Sequence, residues 1–381
     1  MTIPLWKLNR ELRRIGNQIL GAPYLVFDIY ERLMEPFWRY KHRKEFNARV
    51  SVDDGQVAET QRIVIFLIYQ PEGVAQSTIS LCENMIALGF SPFIVSNAPL
   101  SPTDRDRIDA VAWKVMERPN FGYDFGGYQD ALFVLRDLKE TLEYLIIMND
   151  SVWLEFTPDL WERLVAEDKD VVGLVQESKL IEARDTKIDI KPQNLQSYFF
   201  LFNKSVWNAS YFWSFWSEYK MTSSKRRTIR FGEVSFTSHL NKNKVKTSAL
   251  ISKGKFIEKL IKCNSDELMF ILNYSTFRDK KFRQECNEVI SNRNNHDKWH
   301  EEAFSFICKS LIREPLNGSF WVGVCQVFDV TLIKKHHDPL NHAMRQKYLA
   351  ASNDGAIFPL PPNIATELAT SVKLHNNSAK S

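Results

Sequence analysis

Residues 120–151 hold the side chains whose types and spacing are best suited to chemistry. Asn120-Phe121-Gly122-Tyr123-Asp124-Phe125-Gly126-Gly127 reads as a glycine-rich turn that opens a helix. Tyr144-Leu145-Ile146-Ile147-Met148-Asn149-Asp150-Ser151 reads as a buried strand that ends on a carboxylate. In an α/β sheet, ligands gather at the carboxyl ends of parallel strands, so Asp150 is expected to face a crevice. The glycines would let backbone approach a phosphate-bearing ligand closely. Within one βαβ-like unit, turn and strand end together suggest a nucleotide-sugar site.

The elements that must position these residues are read from the hydrophobic period. Arg62-Ile63-Val64-Ile65-Phe66-Leu67-Ile68-Tyr69 is a continuous apolar run, as expected of a strand covered on both faces. Further strands are predicted at 92–97, 112–116, 144–148, 170–175 and 197–202, with helices at 75–88, 103–111 and 126–142. That alternation predicts an α/β fold with a mostly parallel sheet flanked by helices. After residue 255 helix-like spacing covers 255–274, 280–291 and 299–313, and Trp321 to Ile333 holds one more strand or a buried helix. The expected organisation is a basic amphipathic segment over 1–50, a polar linker near 51–60, an α/β domain over 60–255, a helical region over 256–360 and a flexible tail over 361–381.

Leu5, Leu8, Leu12, Ile15 and Ile19 form one helical face, with Lys7, Arg10, Arg13 and Arg14 off it, and Gly21-Ala22-Pro23 ends the pattern. An aromatic segment comes next, including Tyr24, Phe27, Tyr30, Phe37, Trp38 and Tyr40, flanked by Lys41, Arg43 and Lys44. Such a segment either packs on the domain or lies in a membrane interface. The net charge of +4 demands no nucleic-acid partner, and the five scattered cysteines show no zinc-type spacing. Reduced thiols fit a cytosolic compartment. No apolar run is long enough to span a bilayer, and the first residues lack the apolar core of a signal peptide. A cytoplasmic location is therefore expected.

The stretch from about 62 to 250 resembles the rhamnan synthesis F family, related to the family 2-like glycosyltransferases of the glycosyltransferase-A, Rossmann-like fold. The resemblance rests on Arg118-Pro119-Asn120-Phe121-Gly122-Tyr123-Asp124-Phe125-Gly126-Gly127-Tyr128-Gln129-Asp130 and on Met148-Asn149-Asp150-Ser151-Val152. Leu195-Gln196-Ser197-Tyr198-Phe199, Phe231-Gly232-Glu233-Val234-Ser235 and the closing segment Phe328 to Lys335 add to it. It implies a transferase that moves a deoxyhexose, rhamnose by analogy, from a nucleoside-diphosphate sugar to a lipid-linked or glycan acceptor. The work would take place at the cytoplasmic face of the membrane, with the protein in peripheral contact with the inner-membrane surface.

The resemblance also implies roles. Asp150 would steady the departing diphosphate, with or without Mg²⁺ or Mn²⁺, since a hard cation accepts one carboxylate plus phosphates and water. Transferases of this fold usually present Asp-x-Asp there, whereas this chain has Asn149-Asp150-Ser151. Glu233 would take the proton from the acceptor hydroxyl in an inverting displacement. Asn120, Gly122, Tyr123, Asp124, Gly126, Gly127, Asn149 and Ser151 would shape the donor pocket. Plainer roles stand beside these: Asp150 capping the following turn, Asp124 as helix N-cap, Asp130 favouring a helix dipole, and Glu233 in a helix's first turn. The basic run Lys225 to Arg230 and the cluster Lys334-Lys335-His336-His337 either meet diphosphate or are solvated. Trp153, Tyr123 and Tyr198 either stack on a sugar or pack in the core. Rival readings are a non-catalytic glycan-binding or assembly subunit that keeps the fold, and an unrelated nucleotide-binding enzyme sharing the βαβ unit.

Overall fold

A computed structural model describes residues 29–30, 32–138, 141–182, 188–294 and 297–378. The central strand β2 (Arg62–Ile68) is buried along nearly its whole length. Its side chains alternate between two cores. Val64, Phe66 and Ile68 enter one, while Ile63, Ile65 and Leu67 enter the other. That two-sided burial is why the run carries no polar alternation.

Around β2 the sheet adds β1 (Ser51–Asp54), β3 (Ser91–Ser96), β4 (Lys114–Glu117) and β5 (Tyr144–Asn149). Past the short β6 (Val152–Leu154) come β7 (Val171–Glu182), β8 (Ile188–Leu195), β9 (Phe199–Asn203) and β10 (Thr247–Ile251). The strand order is β1-β4-β3-β2-β5-β9-β7-β10, with β8 paired to β7. Pairings β4–β3, β3–β2, β2–β5 and β7–β10 are parallel. Pairings β1–β4, β5–β9, β9–β7 and β7–β8 are antiparallel. The fold is thus the expected α/β sheet flanked by helices. It is parallel over the stretch that carries the site and mixed on either side. A two-stranded ribbon joins β11 (Leu332–Lys334) to β6.

Several expectations are corrected. The residues read as a linker at 51–54 form edge strand β1 against β4, where Asp53 and Asp54 reach Arg105 and Lys114. The segment 321–333 is both a helix (Trp321–Phe328) and strand β11. The helices after residue 255 are not set apart, because Leu268, Phe306 and Trp321 share one core with Val64 and Phe66. The tail expected to be flexible from 361 forms the helix Pro362–Ser378. Ile364, Leu368 and Val372 recur every four residues and are buried. Between them Glu367 accepts hydrogen bonds from the Ser77 backbone (2.8 Å), the Ser77 hydroxyl (2.6 Å) and Trp153 Nε1 (2.7 Å). A Ser/Asn/Thr-rich composition hides that stripe. The apolar face predicted at 5–19 lies outside the described residues.

Since Leu368 is fully buried against the sheet's helices, Leu368→Ala is expected to cost about 2–5 kcal/mol in urea unfolding. An unchanged midpoint would mean that this helix does not dock.

Candidate functional site

β2 and β5 run parallel, with Leu67 opposite Asn149, so the residues just past both strands emerge at one rim of the sheet. The Asp150 backbone N–H donates to Leu67 O at 3.0 Å. Its carboxylate oxygen Oδ2 accepts from Tyr69 N–H at 2.9 Å and from Gln70 Nε2 at 3.0 Å. Asp150 therefore clamps the loop after β2 and does not cap its own turn. Asn149 does that, its Oδ1 accepting from Ser151 N (3.1 Å) and Ser151 Oγ (2.6 Å). Asp150 Oδ1 accepts no protein hydrogen bond among the described residues.

The glycine-rich turn meets this strand end directly. Asn149 Nδ2 donates to Asp124 Oδ2 at 2.9 Å. Gly122, in the left-handed region at φ 82°, is the N-cap of the helix Tyr123–Val134, so Asp124 lies in its first turn and is not its cap. The glycines serve packing against protein. A Cβ on Gly126 would lie 2.4 Å from Phe121 O, and one on Gly127 would lie 2.2 Å from Leu67 Cδ1. Asn120 is exposed, and its Oδ1 accepts from Asn97 Nδ2 at 3.0 Å. Tyr123 donates its hydroxyl to Ser223 O at 2.9 Å.

Asp130 belongs to a different network. It is buried beneath the turn, accepting from Arg118 Nε at 2.8 Å and lying 3.1 Å from His42 Nε2. Its charge is taken up by that ion pair and not by the helix dipole.

Glu233 lies in a π-helical turn, Ile229–Val234, which runs into the helix Ser235–Lys242. Its carboxylate accepts from Asn194 Nδ2 at 2.7 Å and from Ser197 Oγ at 2.8 Å. Burial raises its pKa, against those hydrogen bonds and the Lys334 charge. Asp124 is pushed up to about 6, first by burial and then by the Asp150 charge, with Glu233 adding to this and Lys225 opposing it. Asp150, Glu233 and Lys225 thus all lie near enough for their charges to act on Asp124. Asn149 and Asp124 close the gap between the strand end and the turn, and Ser151 and Asn120 are exposed.

The ribbon β6–β11 brings two more cations. The Lys335 N–H donates to Ser151 O at 2.9 Å, and Lys335 Nζ lies 5.2 Å from the Trp153 ring centre. Lys334 Nζ lies 3.4 Å from Gln196 Oε1 and 5.8 Å from the Tyr198 ring centre. Burial lowers both lysine pKa values. The charge of Asp150, then Glu367, opposes this at Lys335; Glu177, then Glu233, opposes it at Lys334. Adjacent strand residues point to opposite sides, so each lysine serves a different carboxylate. In sequence these lysines form only a generic cationic cluster. The signal missing there is the pairing of β11 with β6. His336 and His337 are exposed, and His336 Nδ1 lies 2.7 Å from Asp338.

Trp153 and Tyr198 are buried core residues. In the basic run 225–230, Lys225, Arg226 and Arg230 are exposed, as a solvated run would have them, but the run is not a loop. It is helical over Lys225–Thr228, and Arg227 pairs with Glu35 at 2.8 Å. Cavities of about 600 and 450 Å³ lie beside the helix over 32–44, and neither Asp124, Asp150 nor Glu233 lines them.

A parallel sheet rim with a turn-and-carboxylate crevice is the class of site at which α/β proteins hold nucleotide ligands. The family model for rhamnan synthesis protein F matches residues 93–289, and the chain belongs to that family. An uncharacterized protein of Sinorhizobium fredii (strain NBRC 101917 / NGR234), y4gN, is 32% identical over 235 residues. Those residues cover 61% of this chain and 58% of that relative, so the chain matches little more than half of the relative's length. Among solved structures, a mannosyltransferase of Pyrobaculum calidifontis in complex with GDP-Man and Mn²⁺ is similar over 95% of both chains at 9% identity and a TM-score of 0.30. A 4-diphosphocytidyl-2C-methyl-D-erythritol synthase of Anaerococcus prevotii covers 50% of this chain and 87% of its own, at 10% identity and a TM-score of 0.28. At TM-scores of that size the fold description rests on the sheet order itself.

Asp124 provides a test of the site's electrostatics. Its folded pKa of about 6 exceeds the ordinary 3.8, so the folded state holds a proton that the unfolded chain has released. Its contribution to stability is present below pH 3.8 and is lost as pH rises to about 6. Relative to Asp124→Asn, the native protein should lose on the order of 3 kcal/mol across that window, at about 1.4 kcal/mol per pH unit. Parallel stability–pH curves in chemical denaturation would refute the assignment.

Proposed function

We propose that this chain is a glycosyltransferase that moves a deoxyhexose, rhamnose by family analogy, from a nucleoside-diphosphate sugar to a lipid-linked or glycan acceptor. Its product would be a growing cell-surface polysaccharide, made at the cytoplasmic face of the membrane. The observation that carries the reading is the Asn149–Asp124 hydrogen bond. It joins the turn to the strand end, and the charges of Asp150 and Glu233 both act on Asp124 there.

In this reading the donor lies over Asn120, Tyr123, Asp124 and Ser151, and Gly122, Gly126 and Gly127 make the turn that presents them. Lys335 and Lys225 place positive charge where the diphosphate departs, and that charge counts most as the bond to the sugar breaks. Glu233 accepts the acceptor hydroxyl's proton as that oxygen attacks the anomeric carbon from the face opposite the leaving group, which inverts the centre. A carboxylate whose pKa burial raises, against the Ser197 and Asn194 hydrogen bonds and the Lys334 charge, suits that task. The site also fits a hard divalent cation, Mg²⁺ or Mn²⁺, because Asp150 Oδ1 accepts no hydrogen bond from the described residues and diphosphate and water supply the remaining ligands. Asp150 would hold the ion, with Asp124 adding negative charge nearby. When bound, such an ion supplies Lewis-acid neutralisation of the diphosphate. No group of three His, Cys, Asp or Glu side chains among the described residues is arranged to hold a metal unaided.

One observation favours a second reading, a non-catalytic assembly subunit. The single carboxylate of the Asn149-Asp150-Ser151 triplet already commits Oδ2 to Tyr69 and Gln70.

A panel of nucleotide sugars, with and without Mg²⁺ or Mn²⁺, separates the two by donor turnover. Glu233→Gln should lower kcat by about 10²- to 10⁴-fold, and the acid limb of the native profile should lie above the ordinary glutamate value of 4.5. Lys335→Ala should cost on the order of 10²-fold in kcat. Absence of turnover with every donor favours the assembly subunit. Full activity in Glu233→Gln removes that residue as base.

A further inference from the structure

The helix over 32–44 is turned inside out. Its inner side is polar: Glu35 is 4% and His42 7% exposed. Glu35 pairs with Arg227 at 2.8 Å, Arg39 Nη1 donates to Met221 O at 3.4 Å, and His42 meets Asp130. Its outer side is apolar. Leu33 is 74%, Phe37 51% and Tyr40 63% exposed, and Ile29 continues the row. Spacings of four, four and three place these residues on one face. A helix packed on a soluble domain ordinarily has the reverse arrangement.

Exposed apolar residues are also found off the helix. The Glu35–Arg227 pair ties it to the π-helical turn, where Ile229, Phe231 and Val234 are also exposed. Between the two elements lies a cavity of about 510 Å³ lined by Arg32, Arg226, Arg227, Arg230 and Phe231. No acidic residue among the described ones lines it. Lys41 and Lys44 stand 5.9 and 6.0 Å from the Trp38 and Tyr40 ring centres. Exposed apolar side chains flanking a cationic cavity mark an interaction site. Arginine clusters beside Trp, Tyr and Phe match the layered chemistry of a bilayer interface, with anionic headgroups over an apolar interior. No helix among the described residues is long and apolar enough to cross a membrane, so the contact is one of lying on the surface.

We propose that the outer face of helix 32–44, together with Ile229, Phe231 and the arginines at 226 and 230, docks on an anionic phospholipid surface. The inference deepens the transferase reading and rests on it in one respect only. Glu233 shares the π-helical turn with Phe231, and Gly232 between them is buried, where a Cβ would lie 2.5 Å from the Phe125 ring. Docking through Phe231 therefore places the acceptor base within a few residues of the bilayer, where a lipid-linked acceptor is held.

The test uses the full chain. All five native cysteines are buried, so Phe37→Cys labels selectively with an environment-sensitive fluorophore. Mixed phosphatidylcholine–phosphatidylglycerol vesicles should shift its emission to the blue, whereas pure phosphatidylcholine vesicles should not. Arg226→Glu with Arg230→Glu should weaken the titration about tenfold or more. Three results overturn the proposal: no co-sedimentation with anionic vesicles, co-sedimentation without a shift at position 37, or a shift that needs no vesicles and grows with protein concentration. The last would mean that a second copy covers the face. Donor turnover with a water-soluble acceptor is measured in the same preparations. Lost turnover with intact docking faults the catalytic reading, and lost docking with intact turnover faults this one.

Discussion

A fully buried guanidinium holds the site together. Arg118 extends from the end of β4 and donates to Asp130 Oδ2 at 2.8 Å, to Asn97 Oδ1 at 2.6 Å and to the Phe121 carbonyl. It thereby binds the end of β3, the glycine turn and the middle of the helix Tyr123–Val134 into one unit. Burial lowers its pKa, and the Asp130 charge works against that. Breaking such a pair by removing one partner costs about 3–5 kcal/mol, because a charge is left unpaired in the interior. The turn's backbone is therefore set before any ligand arrives. Gly122 at its positive φ and Gly126 against Phe121 O are consequences of this closeness.

With the turn fixed, the residue facing Asp124 from β5 cannot easily be a second acid. Asn149 Nδ2 lies 2.9 Å from Asp124 Oδ2, and Asp124 is already raised to about 6 by burial and the Asp150 charge. A carboxylate at 149 would oppose that charge at hydrogen-bond distance, where like charges disfavour ionisation strongly. An amide supplies a donor instead. The departure from Asp-x-Asp thus places a hydrogen-bond donor opposite Asp124 in this chain.

How much of this is legible in the sequence depends on whether the signal is local. β2 and β5 are readable because two-sided burial leaves unbroken apolar runs, and the glycine turn because its residue types are unusual. Asp150 at the strand end comes from the same logic. The β7–β8 hairpin is not readable: β8 (Ile188–Leu195) contains Asp189, Lys191 and Pro192, which locally resemble a loop. The partners of Lys334 and Lys335 depend on a ribbon between β6 and β11, more than 170 residues apart. The helix Pro362–Ser378 has its apolar stripe among Ser, Asn and Thr, and composition outweighs period there. The basic run at 225–230 looks like a solvated loop because its buried partner, Glu35, lies 192 residues away.

The same long-range pairing links the two ends of the site. Glu35 pairs with Arg227, which lies in the helical segment that passes into the π-turn bearing Glu233. A π-turn inserts an extra residue and rotates the chain beyond it, and such turns recur at functional sites. Here it lets exposed Phe231, buried Gly232 and Glu233 face three directions within three residues. The carboxylate's orientation is in turn held by Asn194 and Ser197 from the β8–β9 connection. The helix over 32–44, the π-turn and the sheet rim are therefore joined by a continuous series of polar contacts.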